Sequence, residues 1–175
     1  MATIALIGLR GSGKTAVGRE LARLLGGGFL DTDELIVEAA GRTIAEIFAE
    51  KGEPEFRRLE CEAVARAVAA RPAVLSVGGG AVLDPQNASA IQSIATVVWL
   101  TAPPEVLLAR IQADPSTAAS RPPLTAAGPL EELQRLLRDR SSVYERLADQ
   151  VIDTSALGVE DVARTMLRLT SDGTQ

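Results

Sequence analysis

The sequence predicts an α/β fold in which a five-stranded parallel sheet is flanked by helices on both faces. Two observations support this prediction. Five short apolar segments alternate with segments of helical period along the chain, which is the pattern of parallel strands joined by helical crossovers. The chain has 175 residues, of which 46% are hydrophobic, and this length suits one domain with a sizeable core. We therefore expect residues 1–175 to form a single domain.

The first strand and the first helix are predicted at residues 3–7 and 14–25. The run TIALI at 3–7 is short, apolar and followed by a glycine, as is common for a buried strand. The segment 14–25 places its apolar residues on one helical stripe, and the glycines at 26–28 end it. A second short strand is predicted at residues 29–31.

A helical region follows, with segments predicted at 33–40, 43–51 and 53–70. Thr43 is followed three residues later by Glu46, a spacing that fits a capping box at the start of the middle segment.

The second half of the chain continues the alternation of strands and helices. Three short apolar runs predict strands at residues 73–77, 96–100 and 150–152. Asp84 followed by Pro85 predicts the start of a helix with proline at its first position. Further helices are predicted at residues 104–112, 130–148 and 159–169.

The segment 113–129 has few residues able to anchor a core, because it is rich in Pro, Ala, Ser and Thr. At about 17 residues it is long for a connection inside a domain. Two interpretations stay open for it: a mobile functional lid, or disorder.

Composition excludes several classes of function. The chain contains no histidine, so Ser-His-Asp hydrolysis and histidine-ligated metals are excluded. The single cysteine, Cys61, forms no internal disulfide and belongs to no zinc-binding pattern. The net charge of −5 argues against a nucleic-acid binder, and neither a membrane span nor a secretory signal is visible. We expect a cytoplasmic protein that binds neither nucleic acid nor membrane.

Residues 8–15, GLRGSGKT, match the phosphate-binding pattern GxxxxGK[ST] in full. Its backbone N–H groups would surround a polyphosphate, the Lys14 ammonium would reach the outer phosphates, and the Thr15 hydroxyl would hold Mg²⁺. The alternative is a glycine-rich turn that contains a lysine by coincidence. We expect ATP and Mg²⁺ as cofactors, with the nucleotide bound by Gly11, Ser12, Gly13, Lys14 and Thr15.

Asp31 and Asp33 follow the predicted second strand directly. Residues two apart on a strand face the same way, so both carboxylates are predicted to face one cleft. One would hold a water of the magnesium shell, and the other would bind an acceptor hydroxyl and take its proton. The alternative is that an aspartate here only caps the following helix. No guanine-reading NKxD motif and no acid at the end of strand 73–77 is present, so we expect a small-molecule kinase.

Four further features are candidates for the acceptor side, and each has a simpler interpretation. Arg57 and Glu60 are three apart on a predicted helix and could pair there, as surface ions often do. The three glycines 78–80 suit a close backbone approach or a bare turn. Arg121 lies in the 113–129 segment, where it is either a lid arginine that closes over the phosphates or a solvated loop residue. Arg140 lies on a predicted amphipathic helix, where its simpler interpretation is one basic residue of the polar face.

Together these segments resemble the shikimate kinase family over nearly the whole chain. The matching segments, in order, are GLRGSGKT, FLDTD, GRTIAEIF, GEPEFRRLE, VLSVGGGAV, RPPL, RDRSSVY and VIDTS. The resemblance implies a three-layer P-loop kinase fold with a mobile lid at about 113–129 and a substrate-binding helical region at about 33–61. It also implies transfer of a phosphoryl group from ATP to a ring hydroxyl of shikimate, giving shikimate 3-phosphate and ADP in aromatic amino-acid biosynthesis.

The resemblance implies a role for each candidate residue. Lys14, Asp33 and Arg121 would be catalytic, and Thr15 and Asp31 would lie at the metal, with Ser76 nearby. Arg110 and Arg121 would join the P-loop in binding the nucleotide, and the loop after Asp153 would close the adenine side. Shikimate would be bound by Asp33, Arg57, Gly79, Gly80 and Arg140. We expect a monomer. The alternatives are a P-loop kinase acting on gluconate or a nucleoside monophosphate, and a non-catalytic nucleotide-binding module.

Overall fold

The computed structural model describes residues 3–114 and 128–172, and its strands follow the predicted order. The five strands are β1 Thr3–Ile7, β2 Phe29–Asp31, β3 Val74–Ser76, β4 Ala95–Thr101 and β5 Gln150–Asp153. They form one parallel sheet in the order β2-β3-β1-β4-β5. The predicted fold class, five parallel strands with flanking helices, is therefore confirmed.

Seven α-helices lie within the described residues. They are α1 Lys14–Leu25, α2 Thr32–Ala40, α3 Ile44–Ala70, α4 Pro85–Gln92, α5 Pro104–Ala113, α6 Pro129–Leu147 and α7 Val159–Asp172. A short 3₁₀ helix, Ala81–Leu83, precedes α4. Across these described ranges, none of the helices combines the length and the apolar character that crossing a bilayer requires.

The alternation of side chains along β1 produces two apolar layers, one on each face of the sheet. Ile4 and Leu6 pack with apolar residues of α1 and α7, whereas Ala5 and Ile7 pack with those of α2 to α6. Every β1 residue is buried, as expected for a central strand covered on both faces.

The region that follows β2 differs from its prediction in two details. The helix α2 begins at Thr32 because the Asp31 side chain caps it by accepting a hydrogen bond from the Asp33 N–H. The segments predicted at 43–51 and 53–70 form one helix, α3, with a kink at Gly52, whose φ of 75° and ψ of 179° are not helical. The capping box predicted from Thr43 is present at the start of α3.

The parallel arrangement brings the candidate motifs that follow strands to one edge of the sheet. The phosphate-binding loop follows β1, Asp33 follows β2, the glycines 78–80 follow β3 and Thr154 follows β5. Parallel strands end on the same side, and ligands of such sheets bind there. Of the predicted lid, residues 115–127, which include Arg121, lie outside the described residues.

Candidate active site

A cavity of about 970 Å³ opens at the carboxyl edge of the sheet. This volume lies at the upper end of the roughly 300–1,000 Å³ typical of small-molecule sites. Nine of the predicted site residues line it: Gly11, Gly13, Lys14, Thr15, Asp31, Asp33, Gly79, Arg110 and Arg140. The structure therefore brings the phosphate-binding loop, both aspartates and one of the two acceptor-side arginines together.

A smaller cavity of about 330 Å³ contains the remaining acceptor-side residues. Arg57 and Gly80 line it, together with Glu53 and Glu60. It adjoins the larger cavity, because Gly79 and Gly80 are consecutive residues that line one cavity each. The acceptor-side residues predicted from the sequence therefore line two adjoining cavities.

The phosphate-binding loop follows a path that requires glycine at two positions. Gly8 has a φ of +140°, and a Cβ on it would lie 2.3 Å from the Leu100 carbonyl oxygen. Gly11 has a φ of +83°, and its Cβ would lie 2.7 Å from the Leu107 carbonyl oxygen. Both the dihedral angle and the space exclude other side chains. The loop is therefore held tightly against β4 and α5.

Two side chains of the loop are suited to binding an anion. The Lys14 ammonium donates to the carbonyl oxygens of Gly8 and Leu9, at 3.0 Å each, so its charge is held over the loop. The Ser12 hydroxyl is buried, and its oxygen has no hydrogen-bond partner among the described residues. An orphaned buried hydroxyl beside the start of α1 fits a loop that receives phosphate oxygens.

Asp31 joins the phosphate-binding loop to α2. Its Oδ2 accepts a hydrogen bond from the Thr15 hydroxyl at 2.7 Å, and its Oδ1 accepts from the Asp33 N–H at 2.9 Å. Ser76 lies directly across from it on β3. Of the two aspartates, it is thus Asp31 and not Asp33 that caps α2.

The oxygen ligands available around Asp31 are those that Mg²⁺ prefers. In the described parts of the chain, no group of three or more histidine, cysteine or acidic side chains is placed to hold a metal ion. One carboxylate and one hydroxyl beside a phosphate-binding loop are the usual protein ligands of Mg²⁺, which takes its other ligands from water and phosphate. The residues present therefore fit a magnesium ion that arrives with a nucleotide.

Asp33 lies against the glycine segment that follows β3. A Cβ on Gly78 would lie 2.7 Å from the Asp33 Oδ1 and 3.3 Å from a Glu60 carboxylate oxygen. The Gly78 N–H donates to the Thr32 hydroxyl at 2.8 Å, which fixes the start of α2 to this segment. The absence of a side chain at Gly78 thus leaves room for the carboxylates of both Asp33 and Glu60.

Arg57 is held in place by two carboxylates of its own helix. Its Nη1 donates to Glu60 at 2.7 Å, and its Nη2 donates to Glu53 at 3.1 Å. Burial opposes the charged form of Arg57, but the hydrogen bonds and charges of Glu60 and then Glu53 outweigh it and raise its pKa. Glu60 is only 2% exposed, so this pair is more than the surface ion pair that the sequence left open.

Arg140 differs from Arg57 in its surroundings. It lines the larger cavity, and within 3–114 and 128–172 no hydrogen bond or ion pair joins it to another side chain. A Cβ on Gly79 would lie 3.6 Å from its Nη1 and 3.0 Å from the Gly8 carbonyl oxygen. The Arg140 guanidinium is therefore close to Gly79 and remains available to an anion.

Arg110 is anchored by Thr154, a residue that no motif in the sequence indicates. Its Nη1 and Nη2 donate to the hydroxyl and the carbonyl of Thr154, at 2.9 and 2.6 Å. Thr154 follows β5 and is almost fully buried, and its hydroxyl also donates to the Thr101 carbonyl at 3.1 Å. Nothing in the pattern of the segment VIDTS indicates that threonine, rather than aspartate, holds the arginine.

Comparison with known proteins identifies a family for this chain. The family model described as shikimate kinase matches residues 10–170. A shikimate kinase of Moorella thermoacetica is 47% identical over 92% of this chain and 90% of its own length. One of Symbiobacterium thermophilum is 45% identical over 94% and 93%. The structure of a shikimate kinase from Acinetobacter baumannii in complex with shikimate superposes with a TM-score of 0.92 at 35% identity, over 100% of this chain and 96% of that one.

Asp31 allows the helix cap to be separated from the carboxylate charge. Asparagine caps helices about as well as aspartate, so Asp31→Asn should leave the free energy of unfolding within about 0.5 kcal/mol of the wild type. Asp31→Ala removes the cap and the partner of Thr15, and should lower it by roughly 1–2 kcal/mol. Urea unfolding of the three proteins measures both values, and an equal loss in the two variants would contradict the cap assignment.

Proposed function

The chain belongs to the shikimate kinase family, and from this membership we propose how its residues divide the work of the reaction. The enzyme is a kinase that uses ATP to phosphorylate shikimate in aromatic amino-acid biosynthesis. The alternatives considered above, a gluconate or nucleotide kinase and a non-catalytic module, have no support in these relatives. The cytoplasmic location and the monomeric state stay predictions.

The observation that carries the proposal is the shared lining of the larger cavity. Lys14, Thr15, Asp33 and Arg140 all line it, so a phosphate-binding loop and an acid-and-guanidinium pair open onto the same space. Phosphoryl transfer depends mainly on positioning and on neutralising charge. A cavity with these groups can bring a phosphorylated donor and a hydroxylated acid together without a histidine.

On the nucleotide side, we assign binding of ATP to the loop residues Gly11, Ser12, Gly13, Lys14 and Thr15, together with Arg110. The orphaned Ser12 hydroxyl and the positively charged Lys14 support this assignment. Thr15 and Asp31 would hold Mg²⁺, which neutralises phosphate charge when bound. Arg121 would complete the nucleotide site, and its position lies outside the described residues.

On the acceptor side, Asp33 would bind the 3-hydroxyl of shikimate and accept its proton late in the transfer. Arg140 would bind the carboxylate of shikimate from the larger cavity, and Arg57 would bind it from beside Gly80. Guanidinium suits this task because it pairs with a carboxylate through two parallel hydrogen bonds. Gly79 and Gly80 would offer their backbone to the ring hydroxyls.

The role of Asp33 is tested by Asp33→Asn. The variant should fold, because Asp31 and not Asp33 caps α2, and it should bind ATP. Its kcat should fall about 100-fold or more, since a group that accepts a proton in the transition state is lost. ADP release at saturating ATP and shikimate measures kcat. Asp161→Asn, which also removes an acid from the first turn of a helix, is the matched control and should keep wild-type kcat. Near-normal turnover of Asp33→Asn would contradict its role.

The role of Arg57 is tested through Gly80, whose φ of −101° suits alanine. A Cβ there would lie 2.6 Å from the Arg57 Nη1, so Gly80→Ala should displace the guanidinium and raise the KM for shikimate about tenfold, as expected for the loss of a charge-assisted hydrogen bond. The KM for ATP should change little. Gly28→Ala is the control, because nothing lies within 4 Å of its Cβ position. Equal shikimate KM values in the two variants would place Arg57 outside the acceptor site.

A further inference from the structure

Tyr144 connects α6 to the glycine segment of the acceptor side. It is 0% exposed, and its hydroxyl donates to the Gly79 carbonyl oxygen at 2.5 Å, across 65 residues of sequence. Its ring packs on Trp99 of β4, with ring centroids 5.6 Å apart. A buried phenol with this short hydrogen bond fixes the Gly79 peptide relative to the core.

The direction of that bond determines where the next amide points. The Gly79 carbonyl and the Gly80 N–H belong to one planar trans peptide, so they point in opposite directions. Over residues 3–114 and 128–172, no carbonyl, carboxylate or hydroxyl accepts from the Gly80 N–H. Gly80 is buried, and a buried amide without an acceptor costs free energy. A ligand that supplies the acceptor would remove this cost. The Tyr144 hydroxyl thus sets the direction of an unused donor.

The same helix also positions Arg140. Arg140 precedes Tyr144 by four residues, about one helical turn, so both side chains lie on one face of α6. One of them reaches the cavity and the other reaches Gly79, and a Cβ on Gly79 would lie 3.6 Å from both the Arg140 Nη1 and the Tyr144 oxygen. The Tyr144 bond therefore ties the face of α6 that carries Arg140 to the glycine backbone.

We propose that Tyr144 is a positioning residue for the acceptor: it holds the Gly79–Gly80 peptide so that the Gly80 N–H and the Arg140 guanidinium meet shikimate together. This inference rests on the proposed roles of Gly80 and Arg140. Tyr144 touches neither substrate in this account and acts through the backbone and through α6. A residue that only fills the core would affect stability and leave the affinity for shikimate unchanged.

The first test is Tyr144→Phe, which keeps the ring on Trp99 and removes the hydroxyl. The KM for shikimate should rise about three- to tenfold, the effect of one lost hydrogen bond, while the KM for ATP stays within about twofold of the wild type. The matched control is Thr3→Val, which removes another buried hydroxyl-to-carbonyl bond, from Thr3 to Pro72 at 2.7 Å, at the opposite edge of the sheet. The control should lower the melting temperature and leave both KM values unchanged.

The second test needs no substitution, because Tyr144 is the single tyrosine of the chain. Protein labelled with 3-fluorotyrosine then gives one fluorine resonance, from position 144. That resonance should shift on saturation with shikimate and move much less with ADP alone. An unmoved resonance, or a Tyr144→Phe enzyme with a wild-type KM for shikimate, would overturn the proposal.

A third variant separates this inference from the proposed function. Arg140→Ala should raise the KM for shikimate if the acceptor assignments are right. If Arg140→Ala raises it and Tyr144→Phe does not, the positioning role of Tyr144 is wrong and the acceptor site stands. If neither variant changes it, the proposed acceptor site is wrong, and the inference falls with it.

Discussion

The site depends on close backbone approach at the carboxyl edge of the sheet. Gly8, Gly78 and Gly80 follow two neighbouring strands, and a Cβ on them would lie only 2.3, 2.7 and 2.6 Å from the Leu100 carbonyl oxygen, the Asp33 Oδ1 and the Arg57 Nη1. Real Cβ contacts are almost never that short, so any side chain here would push the phosphate-binding loop, Asp33 or Arg57 apart. Because glycine has no Cβ, the phosphate-binding loop and the acceptor-side residues can lie close together at one edge of the sheet.

Charged side chains at this edge of the sheet are held in place by hydrogen bonds and ion pairs with neighbouring residues. Asp31 is committed to Thr15 and to the start of α2, which makes it a fixed part of the frame beside the phosphate site. Arg57 is fixed by Glu53 and Glu60. A group held by its own neighbours binds a ligand with little loss of side-chain entropy.

Most of the fold could be predicted from the sequence, because local signals and the sheet agree. The segments 3–7, 14–25 and 29–31 have the predicted bounds, since apolar runs and glycine stops mark them clearly. The kink at Gly52 was visible as a break between two helical patterns. Whether α3 continues through it depends on packing, which local patterns do not contain.

The site was predicted less completely, for a physical reason. Motifs indicate groups that would meet a ligand, and two residues predicted in this way, Lys14 and Asp33, line one cavity. They do not identify groups that hold other groups across the chain, and Thr154 and Tyr144 are of this kind. The helix cap was open between two aspartates two residues apart, and only the backbone geometry assigns it to Asp31. Motifs also gave no sign that Arg57 and Asp33 line different cavities.

The central claim is that shikimate binds across the glycine segment, within reach of both sides of the site. The most direct measurement is a crystal structure with ADP, Mg²⁺ and shikimate bound. We expect a ring hydroxyl within hydrogen-bond distance of the Asp33 carboxylate, about 3 Å, and the shikimate carboxylate paired with Arg140 and Arg57. Shikimate bound wholly in the smaller cavity, beside Arg57 and away from Asp33 and Lys14, would contradict the account.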